Sequence, residues 1–515
     1  MDVGYATKTL PARPVIGTRR KAMELSAQGR HAEAASVWRR LHALRPDDAT
    51  VVAPLAEAWL AARQPQAALD LLARHPCGDS ALLLRLLARA MLALRLRPPA
   101  IGALFEALQL GPADLDTLGL LASALSDDGQ AAMALPHAEA AFRGRADASH
   151  ATTLSCVLID LGRDEEALAV TGLGLVEQPA VAELLLNRAI ALEGLDRMPE
   201  ALETGRRALK AAPDNAFTQY HLAAAMLAHG EMTQEAWTLY EGRLHLHGRS
   251  PIPGHKLCWR GEDVVGKTVL LHAEQGLGDT LQFVRYAPLV AARGARVVLA
   301  VQAGLVRLLQ GTPGTDAVVP IDGTLPEFDF YLPLLSLPGL LGTTAETIPP
   351  PLAYCVPRKA TLDERLQVGL AWAGNPGFVM DRKRSVSAEQ LAPLAEVTGV
   401  AFHSLQLGAG TPPGFTFAST LEGVRDMADT AARIAGLDLV IAVDTAVAHL
   451  AATMNTPVWL LSRFRGCWRW LRDREDCPWY PSMRVLRQPR PEDWDSVVAR
   501  VVRDLSAMAD EHGAR

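Results

Sequence analysis

Asp444, Thr445 and His449 stand where an apolar run stops and a helical pattern starts, a place suited to holding an anion. Residues 439–443 are apolar, and beyond Thr445 apolar side chains recur at helical spacing at Val447, Leu450, Ala451 and Met454. This reads as a buried strand turning into a helix. Asp444 or Thr445 is placed to cap that helix, so that first-turn N–H groups and the positive end of its dipole face the crevice beyond the strand. Phosphate binds in such places. His449, one turn in, could add a proton donor to the same pocket. A capping aspartate with a packed histidine accounts for the same letters without a ligand.

A second group lies after the expected strand 367–372, where Gly374 and Asn375 are followed by Asp381, Arg382, Lys383, Arg384 and Ser385. Arginine presents a planar fork to phosphate oxygens and serine a hydroxyl, although a solvated basic loop would look alike. The expected strand 400–405 ends at Gln406, whose amide could read a base. These loops and the Asp444 turn leave the carboxyl edge of one expected sheet, where ligands of open α/β sheets gather. A third candidate is Gly276-Leu277-Gly278-Asp279: the glycines permit a tight turn, and Asp279 either caps the next helix or points into a cleft. Asp429 and Thr430 are expected to cap the helix before strand 439–443. Four tryptophans between 459 and 479 form either the lip of a ligand cleft or a satellite core.

The elements that must position these groups follow from periodicity. Residues 268–273, 295–301, 317–320 and 328–332 read as short buried strands around a helix at 280–294, the start of a parallel sheet. A proline-rich stretch, 348–357, separates them from a second α/β unit, and strand 483–487 and an amphipathic helix 494–508 finish the chain. The first half differs in kind. Alanines at 34, 68, 100, 134, 167, 201 and 236 recur 34, 32, 34, 33, 34 and 35 apart, with Gly turns before most of them. A period near 34 with two helices and a small alanine is the tetratricopeptide pattern. Its stacked pairs form a superhelix with a groove for peptides, in which Asn187 and Asn215 either bind backbone or cap helices. The expected organisation is a tail 1–16, about seven helix pairs over 17–247, a linker 248–266, a short Rossmann-like half 267–356, a second Rossmann-like half 357–489 and a C-terminal helix 490–515.

Composition narrows the function. The 515 residues suffice for about three to four domains, and a net charge of −6 without a basic stripe argues against a nucleic-acid partner. Six cysteines, at 77, 156, 258, 355, 467 and 477, show no CxxC pair or zinc spacing, so neither disulfides nor a metal is expected. The first residues lack an apolar signal core and no run of about 18 apolar residues occurs, so membrane insertion is not expected and a cytoplasmic place is.

Together, HAEQGLGDTLQF, LAWAGNP with DRKRS, FHSLQ and VDTAVAHLA resemble the heptosyltransferase-like glycosyltransferases, family nine, in the bacterial form fused to tetratricopeptide repeats. The likeness runs from about 259 to 505 and is similar to that of bacterial flagellin glycosyltransferases. It implies a GT-B fold of two Rossmann-like halves, a nucleotide-sugar donor held by the second, and no cofactor or metal. By motif position Asp279 matches the carboxylate proposed as general base. Asp444, Thr445, Ala446 and His449 match the donor-binding turn, with Ala446 where the family usually has glycine; Gly374, Asn375, Arg382, Arg384, Ser385 and Gln406 are the other donor-binding candidates. The short first half and the repeats imply a protein acceptor, a flagellin-like Ser or Thr hydroxyl bound by the repeat groove. The alternatives are a lipopolysaccharide or small-glycan transferase and a non-catalytic scaffold or chaperone.

Overall fold

The repeat period is written in the backbone as well as in the letters. In a computed structural model, the left-handed region is occupied by Gly29 (φ 73°), Arg63 (58°), Arg95 (62°), Gly129 (75°) and Gly162 (70°). Each directly follows a helix: Ala12–Ala27, Ala49–Ala61, Ala81–Ala93, Leu115–Asp127 and Ala148–Asp160. The next N–H then reaches back to close the helix end, as in Arg30 N to Leu25 O (2.9 Å), Leu96 N to Met91 O (2.9 Å) and Arg163 N to Leu158 O (2.9 Å). Arg63 and Arg95 take this conformation without glycine's freedom, which is why those two units lack the Gly signal. The structure describes residues 12–514 except 47, 76, 111–113, 247–251, 253–255, 353–363, 376, 378–380 and 409, with side chains from residue 17. Most of the expected tail 1–16, parts of the stretches 248–266 and 348–357, and Pro376 lie outside the described residues.

Two compact units divide the chain, Met1–Leu195 and Asp196–Arg515. In the first, Ala34, Ala68, Ala100, Ala134 and Ala167 are fully buried, which lets the second helix of each pair approach its neighbours closely. They join Trp38, Leu55, Leu72, Leu86 and Leu104 in one continuous core. Asn187 donates to Thr152 O and Ser155 Oγ, both at 3.0 Å, and so ties two helices of the array together. Both amide hydrogens of Asn187 are thereby engaged inside the array. In the second unit, Asn215 caps helix Ala216–Ala228 through Phe217 N and Thr218 N.

The second unit opens with helices Met198–Ala211, Ala216–Ala228, Gln234–Tyr240 and Arg243–Leu246 and continues into two parallel sheets. The first comprises β1 (Leu257–Cys258), β2 (Thr268–His272), β3 (Arg296–Val301), β4 (Ala317–Pro320) and β5 (Phe330–Pro333), in the order β1-β5-β2-β3-β4. The second comprises β6 (Leu366–Ala371), β7 (Val400–Ser404), β8 (Leu439–Val443), β9 (Val458–Ser462) and β10 (Met483–Arg487), in the order β10-β9-β8-β6-β7. The central strands are buried almost throughout and mostly apolar, β8 entirely so, because both faces are covered, as parallel sheets require. Helix Trp494–Gly513 lays Val497, Val501 and Leu505 on the core of the second sheet.

Two expectations change here. The stretch 248–266 is not a free linker: β1 pairs with β5, and Trp259 and Val264 are buried. The helix expected at 280–294 is split into Leu277–Phe283, a 3-10 turn Val284–Tyr286 and Ala287–Ala291, because Pro288 supplies no N–H to an unbroken ladder.

Candidate functional site

Strands β6 and β8 are parallel neighbours, with Ala371 opposite Ala442, so the chain leaves both at one edge. The loop after β6 is drawn onto the turn after β8 by Arg384. Its Nη1 donates to Asp444 O (3.0 Å) and its Nε to Asp381 Oδ1 (2.8 Å). Ser385 Oγ donates to Asp381 Oδ2 (3.1 Å) and accepts from Gly374 N (3.2 Å). Gly374 is required by this close approach, since a Cβ there would run into the Asp381 carboxylate and the Arg384 guanidinium. Of the expected basic run, Arg384 reaches the turn. Arg382 is exposed on the short helix Asp381–Arg384, and Asn375 is exposed and accepts from Gly377 N (3.0 Å).

At the turn, Thr445 holds the N-cap position of helix Ala446–Thr453, but its hydroxyl donates backward to Val443 O (3.2 Å) instead of capping the helix. The Asp444 side chain does not cap it either; its Oδ1 is 4.0 Å from His449 Nε2. The helix start, with Ala446 at its first position, therefore keeps N–H groups that no side-chain cap occupies. A cation that sequence reasoning passed over stands nearby: burial pulls the Arg463 guanidinium below its ordinary range, opposed by the Asp444 carboxylate and assisted by Arg384.

Three sequence expectations are corrected at this edge. His449 is buried against Gly278 and Trp470, with Nδ1 3.0 Å from the Tyr480 hydroxyl. Burial, helped by Arg469 and Arg285 against Asp279, depresses it to about 3, so it is a neutral packing group that brings no positive charge to a phosphate. Gln406 turns its amide oxygen to Trp372 N (3.1 Å) and Ala373 N (2.9 Å), so that oxygen fastens a loop and does not read a base. The helix before β8 is capped by Asp426, not by Asp429 and Thr430; Asp429 joins Asp426 in pairing with Arg307.

Asp279 lies where the two halves meet. Its Oδ2 accepts from Gly276 N (2.9 Å), which caps helix Leu277–Phe283. Its Oδ1 accepts from Arg469 Nη2 (2.6 Å). Both readings of this residue, cap and cleft carboxylate, are thus present at once. Arg469 is 6% exposed, and it also donates from Nε to Gln282 Oε1 (2.7 Å) and from Nη1 to Cys467 Sγ (3.1 Å). Arg285, one turn beyond Gln282, donates to Trp479 O (2.7 Å) and lies over the Tyr480 ring. Trp468, Trp470 and Trp479 are buried among these groups, so they form a core and not the lip of a cleft. Gln282 had a signal in the letters, being three residues from Asp279 on helix Leu277–Phe283, and Arg285 stands in the 3-10 turn that follows it. Arg469 had none, 190 residues away.

The geometry thus gathers Arg384 and the start of helix Ala446–Thr453 at one sheet edge, and places a carboxylate at the junction of two parallel-sheet halves. The family Glycosyltransferase family 9 (heptosyltransferase) matches residues 413–461, which contain β8, the Asp444 turn and most of β9. Protein FlbA of Caulobacter vibrioides is 29% identical over 469 residues, 81% of this chain and 77% of that protein. Among solved structures, YrrB, described as a TPR protein with an unusual peptide-binding site, aligns with 36% of this chain and 96% of its own at 18% identity and TM-score 0.30. The glycosyl transferase family 9 from Veillonella parvula aligns with 49% of this chain and 100% of its own at 11% identity and TM-score 0.38. The chain combines tetratricopeptide-like helical repeats with a heptosyltransferase-like glycosyltransferase module.

Proposed function

We propose that this glycosyltransferase moves a sugar from a nucleotide sugar to a Ser or Thr hydroxyl of a protein, flagellin-like in the resemblance that suggests it, recruited by the repeats. The observation that carries the reading is the hydrogen bond from Arg384 to Asp444 O, which gathers the loop after β6 and the helix start after β8 into one anion-binding corner. The leaving nucleoside phosphate gains negative charge as the glycosidic bond breaks, and Arg384, Arg463 and the N–H groups of helix Ala446–Thr453 oppose it. The attacking hydroxyl must lose its proton, and Asp279 is the proposed acceptor, in a GT-B arrangement that works without a metal. Both Asp279 oxygens are already engaged, so a hydroxyl reaches Oδ1 through its second lone pair or by displacing Arg469.

The test has two arms. Calorimetry of the full chain with uridine, guanosine, cytidine and adenosine diphosphates should find one binder, weakened about tenfold or more by Arg384→Ala. Intact-mass measurement should then find the acceptor protein heavier by one sugar residue, with Asp279→Asn slowing transfer by about a hundredfold or more while donor affinity holds. Sugar found on lipid or free glycan with no labelled protein would move the reading to a glycan acceptor, and normal transfer by Asp279→Asn would remove it from the chemistry.

A further inference from the structure

The helices that open the second unit hold both partners of the Asp279–Arg469 pair. Arg243 is fully buried. It donates from Nη2 to Glu274 Oε1 (2.8 Å) and Ser336 Oγ (2.7 Å), and from Nη1 to Glu241 Oε1 (2.6 Å). Ser336 Oγ in turn donates to Glu241 Oε2 (2.8 Å), which closes a ring of three polar groups, Arg243, Ser336 and Glu241, with Glu274 bonded to its arginine. Glu274 is the second residue after β2 and the fifth before Asp279. Burial pushes its carboxyl up, and the Arg243 charge and hydrogen bond draw it back. A buried carboxylate with so close a cation has little freedom to move, because leaving it would strand a charge away from water. Glu274 thereby anchors the entry to the glycine turn that carries Asp279.

The other partner rests on the same helices. Trp468, adjacent to Arg469, packs edge-on against Trp237 (5.7 Å between centroids) and Tyr240 (5.5 Å). Arg472 N donates to Ala228 O (2.9 Å). The Arg243 guanidinium lies 4.8 Å from the centre of the Tyr240 ring, so the two anchorages share a side-chain stack.

We infer that Arg243 is a positioning residue: acting through Glu274, it sets the place of Asp279 opposite Arg469 and makes the last helical segment part of the transfer machinery. Its catalytic consequence rests on the proposed function; its geometric consequence does not. The full-length protein and two variants, Arg243→Met and Arg243→Met with Glu274→Met, decide it. The single variant strands Glu274, whereas the double variant replaces the buried pair with apolar side chains of similar length. Hydrogen exchange should show amides of 274–283 exchanging at least tenfold faster in both variants, with β8 and β9 unchanged. Turnover should fall at least tenfold in both, with the donor KM within about twofold, while the double variant regains the melting temperature that the single one loses. A purely structural role predicts that turnover recovers with the melting temperature, and that result overturns the inference. Unchanged exchange in 274–283 overturns it as well, whether or not transfer is ever seen. A wild-type chain without turnover removes the proposed function, and the exchange arm still decides the positioning.

Discussion

Side-chain bonds between helices of the Met1–Leu195 unit join residues about one repeat apart: Ser126 to Asp160, Asn187 to Thr152, Arg145 to Asp116. In the Asp196–Arg515 unit the contacts that define the candidate site reach much farther, 60 positions from Arg384 to Asp444 and 190 from Arg469 to Asp279. The materials differ too. The array relies on small buried alanines and exposed Arg–Glu pairs such as Arg163–Glu166, which contribute little each. The α/β module relies on buried arginines, each needing several acceptors. A repeat tolerates a local defect because its neighbours rebuild most of the core, whereas removing one buried arginine leaves several polar groups without partners at once.

The sharpest way to break this comparison is Arg469→Met. It leaves Asp279 and Gln282 without their common donor, and the transition of the α/β module should lose about 3–5 kcal/mol in denaturant titrations followed by tryptophan emission. A loss below about 1 kcal/mol would place the pair with solvated surface bridges. Acid should act next most strongly on the same module. His449 titrates near 3 in the folded chain against an ordinary value of 6.5, so the unfolded state binds its proton first. Stability is then unaffected by His449 above about pH 6.5 and falls by about 1.4 kcal/mol per unit as pH drops from there towards 3. His221, held down to about 4 by burial, adds in the same direction. The slope of stability against pH should flatten in His449→Gln.

The array should respond to volume instead. Ala134 is fully buried, and Ala134→Leu should lower the array's own transition by about 1–3 kcal/mol while leaving nucleotide binding unchanged. The smallest change should be a gain. Arg95 pays for its left-handed backbone at φ 62°, so Arg95→Gly should raise the array's unfolding free energy by about 0.5 kcal/mol, the relief of strain less the extra freedom of the unfolded chain. Loss of stability in that variant would mean that the Arg95 side chain contributes more than its backbone costs.

How much of this was legible in the letters depended on range. The turns at 29, 129 and 162, the buried alanines and the strands Leu439–Val443 and Met483–Arg487 follow from spacing alone, because local sterics and a periodic apolar face act on neighbouring residues. That the loops after β6 and β8 share an edge was also foreseeable, since parallel strands put all carboxyl ends on one side. Side-chain direction was not. Gln406 and Thr445 look free in sequence, yet each bonds to a nearby backbone group whose position depends on how the turn folds. His449 has the letter of a proton donor, but Gly278, Trp470 and Tyr480, brought against it by the tertiary structure, exclude water and keep it neutral. Arg243 and Arg469 carry no pattern at all in sequence, because a buried charge is specified by partners from distant segments. The sequence by itself determined the helical array, the strands and the edge where a ligand would gather. Which arginines hold Asp279, and that one of them comes from the helices before the sheets, was decided only when burial made pairing compulsory.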